Sequence, residues 1–419
     1  MSLPLAPLIA VEDPSLPPTQ TTTGLRCAAA LSIAADTASA VREVCERALA
    51  ALGGPADLAV AFASPHHEEG VAALLCDALG TENLIGCTGE SIVGPGQEIE
   101  SQPALSLWLA RLPGVSVEPM HLDFERTPEG GTFVGWPDAV QDAWPAGSNL
   151  LLLGEPFSFP ADFLLERMNE DRPGVQVVGG MASGAAEPGQ NRVWRGRQEW
   201  NHGAVAALVH GQVRLRSVVS QGCRPIGRPL VITKAQRNML QELSGKPALA
   251  QFSELFPTLS PQEQELVRGG LHVGRVVNEY QEHFGRGDFL VRNVVGADRA
   301  SGALVLGDFV RVGQTVQFHV RDAASADEDL RELLSAARQS ETSGSPAKTV
   351  QPAGALLFTC NGRGTRLFDA PHHDAAGIAE IWPDLPVAGF FAQGEIGPVG
   401  GRNFLHGFTA SVLLVEPLD

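Results

Sequence analysis

Hydrophobic positions along the chain switch between short apolar runs and helical spacing, and the switches come in a repeating order. LRCAAALSIA, from Leu25, predicts a strand. Asp36 stands at an N-cap position, after which Val41, Val44, Cys45, Ala48, Leu49 and Leu52 recur at helical spacing. DLAVAFAS then predicts a strand, PHHEEGVAALLCDAL a helix and NLIGCT a third strand. GESIVGPGQEIE reads as a turn, and ALSLWLARL as the strand that returns from it.

That order appears twice more. NLLLLGEP, FPADFLLERMNE and VQVVGGMASG read as strand, helix and glycine-ended strand. AVAALVHGQ and VRLRSVVSQG are expected to form a hairpin around His210-Gly211. Towards the C-terminus, VQFHVRDAASADEDLRELLSAAR predicts strand then helix, GALLFTCNGRG a strand and PHHDAAGIAEIW a helix. PVAGFFAQGEIGPVG and FTASVLLVEP complete that copy. GCTGESIVGPG, GGMASGAAEPG and GFFAQGEIGPVG are therefore versions of one element, and SPHHEEG at 64–70 matches APHHDAAG at 370–377. The period is too long and irregular for a solenoid, so the repeat implies a duplicated α/β unit.

A different segment separates the second and third copies. ITKAQRNMLQELSG predicts a strand and a short helix, and Pro247 can open a helix in PALAQFSELF. Ser260 and Glu263 form a capping-box pattern ahead of SPQEQELVRG. DFLVRNVVGADRASGALVLGDFVRVGQTVQFHV alternates like a meander of antiparallel strands. The expected organisation is a poorly ordered Pro/Thr-rich tail at 1–24, then domains at 25–222 and 223–419, with a flexible insert at 339–352. The expected fold class is α/β (α+β): two related domains of mixed or antiparallel sheets with outer helices, in an αββα-like stack.

Charge narrows the function. A formal net charge of −18 and a pI near 5.0 disfavour nucleic acid and anionic membranes as partners. The start has no basic region ahead of an apolar core, and no apolar run approaches about 20 residues, so a cytoplasmic protein is expected. Cysteines at 27, 45, 76, 87, 223 and 360 include no C-x-x-C pair, as expected in a reducing compartment.

Candidate chemistry centres on the third copy. The glycine-ended strands lead into another strand, with no G-x-G-x-x-G before a helix and no Walker pattern, so a nucleotide site is not expected. In CNGRGTRLF (360–368), Arg363 sits in a glycine-lined turn after a strand, where its fork suits a carboxylate or phosphate. The competing reading pairs Arg363 with a structural acid such as Glu395. Glu90 is the corresponding acid of the first copy, whereas GGMASGAAE of the second has none, which suggests divergent roles. His66-His67-Glu68 and His372-His373-Asp374 lack the three- or four-residue spacing of helical metal ligands; their acids suit helix dipoles instead. A thiol nucleophile at Cys360 with His406 as base defines a rival reading, a cysteine-dependent hydrolase or transferase, though no catalytic signature accompanies it. A protein-interaction scaffold is the third class.

In combination, SQGCRPIGRPLVITKAQRNMLQELSGKPAL, GALVLGDFVRVGQTVQFHVRD, LLFTCNGRGTRLF and GFFAQGEIGPVGGRNFLHGFTASVLL resemble the FIST family, as do NLIGCTGESIVGPGQEIESQPALSLWLARLPG and VVGGMASG. The resemblance runs from about residue 25 to the end, with a FIST-N region followed by a FIST-C region. The name stands for F-box and intracellular signal transduction. It implies a non-enzymatic sensory module for a small ligand, with amino acids proposed for the family, acting here through a separate signalling protein. On that reading the ligand site comprises Cys360, Asn361, Arg363, Gly394, Glu395, His406 and Thr409, with Arg363 holding a carboxylate and Glu395 an amine. No catalytic residue, metal or cofactor is expected.

Overall fold

Backbone hydrogen bonds link the three repeats more closely than their order along the chain suggests. A computed structural model describes residues 24–67, 69–128, 130–140, 144–281, 283–340, 348–349 and 351–418. The expected tail at 1–24 lies almost wholly outside the described residues, as do Glu68 and most of 339–352.

The first unit comprises β1 (Arg26–Ser32), α1 (Thr37–Leu52), β2 (Leu58–Ala63), α2 (Val71–Leu79), β3 (Leu84–Thr88), a hairpin of β4 (Ile92–Gly94) and β5 (Gln97–Ile99), and β6 (Leu105–Arg111). Asp36 caps α1 by accepting from the Ser39 amide at 2.8 Å, and Gly53 ends it in a left-handed turn. The second unit comprises β7 (Val115–Glu125), β8 (Thr132–Val134), β9 (Asn149–Gly154), α3 (Ala161–Asp171), β10 (Gln176–Met181), a hairpin of β11 (Val193–Arg195) and β12 (Gln198–Trp200), and β13 (Ala204–Gly211). The third begins with β14 (Val213–Gln221).

The chain then leaves at Gly222 to build a separate antiparallel sheet. Its elements are β15 (Cys223–Gln236), β16 (Met239–Leu243), β17 (Lys246–Pro247), α4 (Ala248–Leu255), α5 (Pro261–Gly269), β18 (Leu271–Val276), β19 (Phe289–Asp298), β20 (Ala303–Leu306) and β21 (Thr315–Arg321). The Ser260–Glu263 capping box opens α5 as expected. The third unit resumes with α6 (Ala323–Arg338) and a short pairing of β22 (Gln339–Ser340) with β23 (Lys348–Thr349). It ends with β24 (Gly354–Cys360), α7 (His373–Ile381), β25 (Val387–Ala392), the hairpin β26 (Glu395–Val399) and β27 (Arg402–His406), and β28 (Thr409–Pro417).

Three expectations are corrected. β13 and β14 form no hairpin: β13 pairs with β7 and β9, whereas β14 pairs with β28 in another sheet. ITKAQRNMLQELSG is the arm-to-arm join of β15 and β16, paired as strands, with no helix. β21 belongs to the inserted sheet between β15 and β18, so β14 is the first strand of the third unit.

The mixed α/β class with two domains holds. Three sheets, rather than two, meet at the main core. Phe62, Trp108, Leu151, Val205, Phe358 and Phe390 bring them together, with the Phe62 and Phe390 rings stacked 5.0 Å apart. Outer helices close the far faces: α1 and α2 on the first sheet, α3 on the second, α6 and α7 on the third. Fully burying each such apolar side chain stabilises by roughly 1.5–3 kcal/mol.

Each unit donates its hairpin to another unit's sheet. β4 pairs with β25, β11 with β3 and β26 with β10, so the first unit serves the third, the second the first, and the third the second. A second repeat lies beneath this exchange. Gly86, Gly179 and Gly389 occupy equivalent positions opposite Ala61, Leu152 and Leu357 in the three parallel strand pairs. A Cβ on them would fall 2.0, 1.8 and 1.9 Å from the facing carbonyl oxygens. Overpacking of this kind has no flexible neighbour to yield, so Gly389→Ala is expected to destabilise by about 2–3 kcal/mol. Chemical denaturation should show a comparable loss for Gly86→Ala and Gly179→Ala, but little change for Gly287→Ala, whose Cβ would meet nothing within 4 Å.

Candidate functional site

Cys360 closes β24 at the junction between the third sheet and the inserted sheet, and the turn after it is held from several directions. Arg321, at the end of β21, donates from Nη2 to the Gly362 carbonyl. The Gly362 amide points at Cys360 Sγ at 3.5 Å. Arg366 donates to the Asn361 carbonyl at 2.8 Å and pairs with Glu90 at the surface. Glu100 accepts from the Thr365 amide at 3.0 Å and hydroxyl at 2.7 Å. Two acids from the first unit therefore fix a turn of the third, and Glu90 is a turn anchor.

Arg363 points inward and is wholly buried. Its Nε and Nη2 donate to the two oxygens of Asp374, each at 2.7 Å. The fork is thus occupied by Asp374, neither by Glu395 nor by solvent. Thr359 Oγ1 donates to the same carboxylate at 2.6 Å, and His373 Nδ1 lies 2.9 Å from it. Burial alone would raise the Asp374 pKa, but Arg363, with His373 and Thr359, outweighs burial and holds the carboxyl well below the usual carboxylate range. Asp374 was expected to serve a helix dipole. That role belongs to Glu98 of β5, whose Oε1 accepts from the Asp374 and Ala375 amides at 2.9 Å. Burial and the nearby Asp374 push Glu98 up to about 8.

Glu395, also fully buried, starts β26. Its Oε2 accepts from the Thr409 amide at 3.0 Å and hydroxyl at 2.9 Å, while Oε1 has no partner. Burial is the main reason its pKa rises to about 8. Cys360 lies beside it, and burial together with Glu395 pushes that thiol up to about 12. Further buried atoms without partners lie on residues of this turn and its clamp, Arg363 Nη1, Asn361 Oδ1 and Arg321 Nε, and on Gln221, whose Oε1 is unpartnered while its amide donates to the Phe289 carbonyl. A Cβ on Gly222 would lie 3.3 Å from Arg363 Nη1, and burial lowers the Arg321 pKa. Phe408 floors the cluster in a left-handed conformation, its ring 5.4 Å from the Arg321 guanidinium.

Of the expected residues, Cys360, Asn361, Arg363, Glu395 and Thr409 come together. Gly394 serves the backbone, its carbonyl accepting from the Met181 amide at 2.8 Å across the exchanged hairpin. His406 donates from Nε2 to the Gly397 carbonyl at 2.9 Å, and burial lowers its pKa to about 4. The Cys360–His406 dyad is not formed: the thiol's neighbour is an acid, and a thiol near 12 stays protonated at neutral pH. Arg321, Gln221 and Phe408 were not singled out from sequence, and Asp374 was read as a helix-dipole acid, not as a partner of Arg363. Only the APHHDAAG match carried a signal for Asp374, and it pointed to the helix start.

Fold and cluster describe a mixed α/β protein of two domains with an enclosed, incompletely paired polar centre at a junction of sheets. Residues 57–246 match the FIST N domain and residues 248–398 the FIST C domain, so the chain belongs to the FIST family, whose domains are regarded as sensory modules of signal transduction. An uncharacterized protein of Mycobacterium tuberculosis is 43% identical over 394 residues, covering 93% of this chain and 99% of the relative. Another, from Mycobacterium bovis, is 43% identical over 385 residues, covering 90% and 96%. An F-box/LRR-repeat protein of Arabidopsis thaliana is 26% identical over 139 residues, covering 30% of this chain and 26% of that protein. Among the described residues no helix is long and apolar enough to cross a membrane.

Removing one member of a buried ion pair strands the other, so Asp374→Ala should destabilise by about 3–5 kcal/mol in a denaturant titration. Glu395 behaves oppositely to a paired acid. Its folded pKa lies above its ordinary value of 4.5, so the stability it contributes is full below 4.5 and is lost as pH rises through about 8. Glu395→Gln should accordingly raise Tm at pH 9 and change it little at pH 4.5, as read by calorimetry.

Proposed function

We propose that the protein is a cytoplasmic sensor of a small carboxylate, an amino acid being the species that best suits the cluster, and that it reports through a separate signalling protein. The observation that carries this reading is the set of buried polar atoms without partners around Cys360. Leaving a buried donor or acceptor unpaired costs about 1–3 kcal/mol, so several in one place argue for a guest that completes them. Donors are Arg363 Nη1 and Arg321 Nε; acceptors are Glu395 Oε1, Asn361 Oδ1 and Gln221 Oε1. A carboxylate suits the donors and an ammonium the acceptors. Arg363 thus contributes one N–H rather than a bidentate fork, and Arg321 supplies the second.

With a domain division at Gly222, Arg321, Arg363 and Glu395 all fall on the C-terminal side. A guest held between Arg321 and Glu395 would tie the inserted sheet to the third unit within the C-terminal side, giving occupancy a mechanical output.

Glu395 must lose its proton to receive an ammonium, so affinity for an amino acid should strengthen by up to about tenfold per pH unit below the Glu395 pKa and level off above it. Titration calorimetry and thermal-shift measurements against amino acids and the matching amine-free carboxylates at pH 6 and 8.5 test this. Glu395→Gln should remove the pH dependence and the preference for the amine, and Arg321→Gln should weaken all carboxylates at least tenfold. A ligand binding the wild type and both variants with one Kd would overturn the site.

A further inference from the structure

His121, Asp123 and His202 converge in the second unit. His121 and Asp123 are two apart on β7, so both project from one face of the strand. His202 arrives from the turn between β12 and β13, next to the pair Ala204–Leu122. One ligand atom from each of the three lies within 4.8 Å of the others. His202 Nδ1 is 2.8 Å from Asp123 Oδ1, and His121 Nδ1 is 3.7 Å from Asp123 Oδ2. Ligand atoms around a tetrahedral ion with bonds of about 2.0–2.2 Å stand roughly 3.3–3.5 Å apart, so the cluster needs only small rotations to close on one.

Its surroundings hold it in that form. Trp200 stacks on the His121 ring at 4.1 Å and 12°. His121 Nε2 faces the His202 carbonyl at 3.3 Å, an arrangement that places the proton on Nε2 and leaves the Nδ1 lone pair towards Asp123. Gly203 leaves the space: a Cβ there would sit 2.6 Å from Asp123 Oδ1 and 2.8 Å from His121 Nε2. The Gly203 backbone is itself fixed, its amide on Ser158 Oγ at 3.0 Å and its carbonyl accepting from the Glu155 amide at 2.8 Å. Beside the cluster opens a cleft of about 720 Å³ lined in part by Trp200, Asn201 and His202.

We infer that His121, Asp123 and His202 form a binding site for one divalent late first-row transition ion, such as zinc, with its remaining coordination position open to the cleft. Two imidazoles and one carboxylate suit zinc, cobalt or nickel and disfavour magnesium and calcium, which take oxygen ligands. The site lies apart from the Cys360 cluster and does not depend on the proposed sensory role.

The test is titration of the chelator-treated full chain with zinc, and with cobalt as a spectroscopic probe. One equivalent of zinc should bind, unaffected by excess magnesium, and cobalt should give visible d–d bands that zinc abolishes. His202→Ala and Asp123→Asn should each weaken zinc binding at least tenfold. Asp123→Asn preserves shape, and matching Tm values of the metal-free forms would show that the variants fold. Absence of saturable binding by the wild type would overturn the site. So would retention of one tight equivalent by both His202→Ala and Asp123→Asn.

Discussion

Edge strands set the terms of this architecture. A sheet ends in a row of unpaired amides and carbonyls that must be covered, bonded or exposed. Here each of the three helix-covered sheets is extended beyond its own parallel pair by a hairpin from another unit. The exchange runs in a ring, so no unit is complete without both others. Side chains follow the backbone across these borders. Glu98 caps α7 from β5, and Glu199, at the same place in β12, accepts from the Gly70 and Ala72 amides at the start of α2, each at 3.0 Å. In β27 the equivalent residue is Asn403, which binds the Val177 amide and Asn169 instead.

The candidate site grows out of one departure from that symmetry. Only the third unit interrupts its first two elements, β14 and α6, with an entire sheet. The strand leaving at Gly222 and the strand returning at Arg321 bring Cys223 and Arg321 against the end of β24. Arg363 is already fully buried there, and Asp374 neutralises it with a near-ideal bidentate geometry. That pair anchors the turn, while the polar atoms it leaves unmatched face the insert. Architecture and chemistry therefore divide within a single guanidinium: two of its nitrogens build the turn and the third remains unpartnered.

Much of this was legible in the residues. Repeated strand–helix–strand spacing, the Asp36 cap, the Ser260 capping box and the family resemblance follow from local pattern, and local pattern is what a sequence displays. Pairing partners were less visible. β13 and β14 are joined by a short turn yet separate into different sheets, because each finds a longer-range neighbour. The β15–β16 turn passes through Arg237 in a left-handed conformation with no glycine or Asn-Gly to announce it. In the site, the glycine-lined turn drew attention to Arg363 but not to its partner, Asp374. Asp374 stood beside two histidines at a helix start, where an acid has an exposed role by default, and nothing local reveals that it is buried. His406 was drawn in by chemical type, whereas its ring is spent on a backbone carbonyl.

The ring of exchanged hairpins also imposes an order on synthesis. β4 and β5 leave the ribosome by residue 99, but the strand they border, β25, begins at residue 387. At about 5–20 residues per second, the first unit waits on the order of tens of seconds for its receptor strand. The β11–β12 hairpin has no such delay, since β3 precedes it. The nascent chain thus carries one unclaimed hairpin and an open third place in its core until the last unit emerges, and that interval is when chaperones or a neighbouring copy of the chain would compete for it.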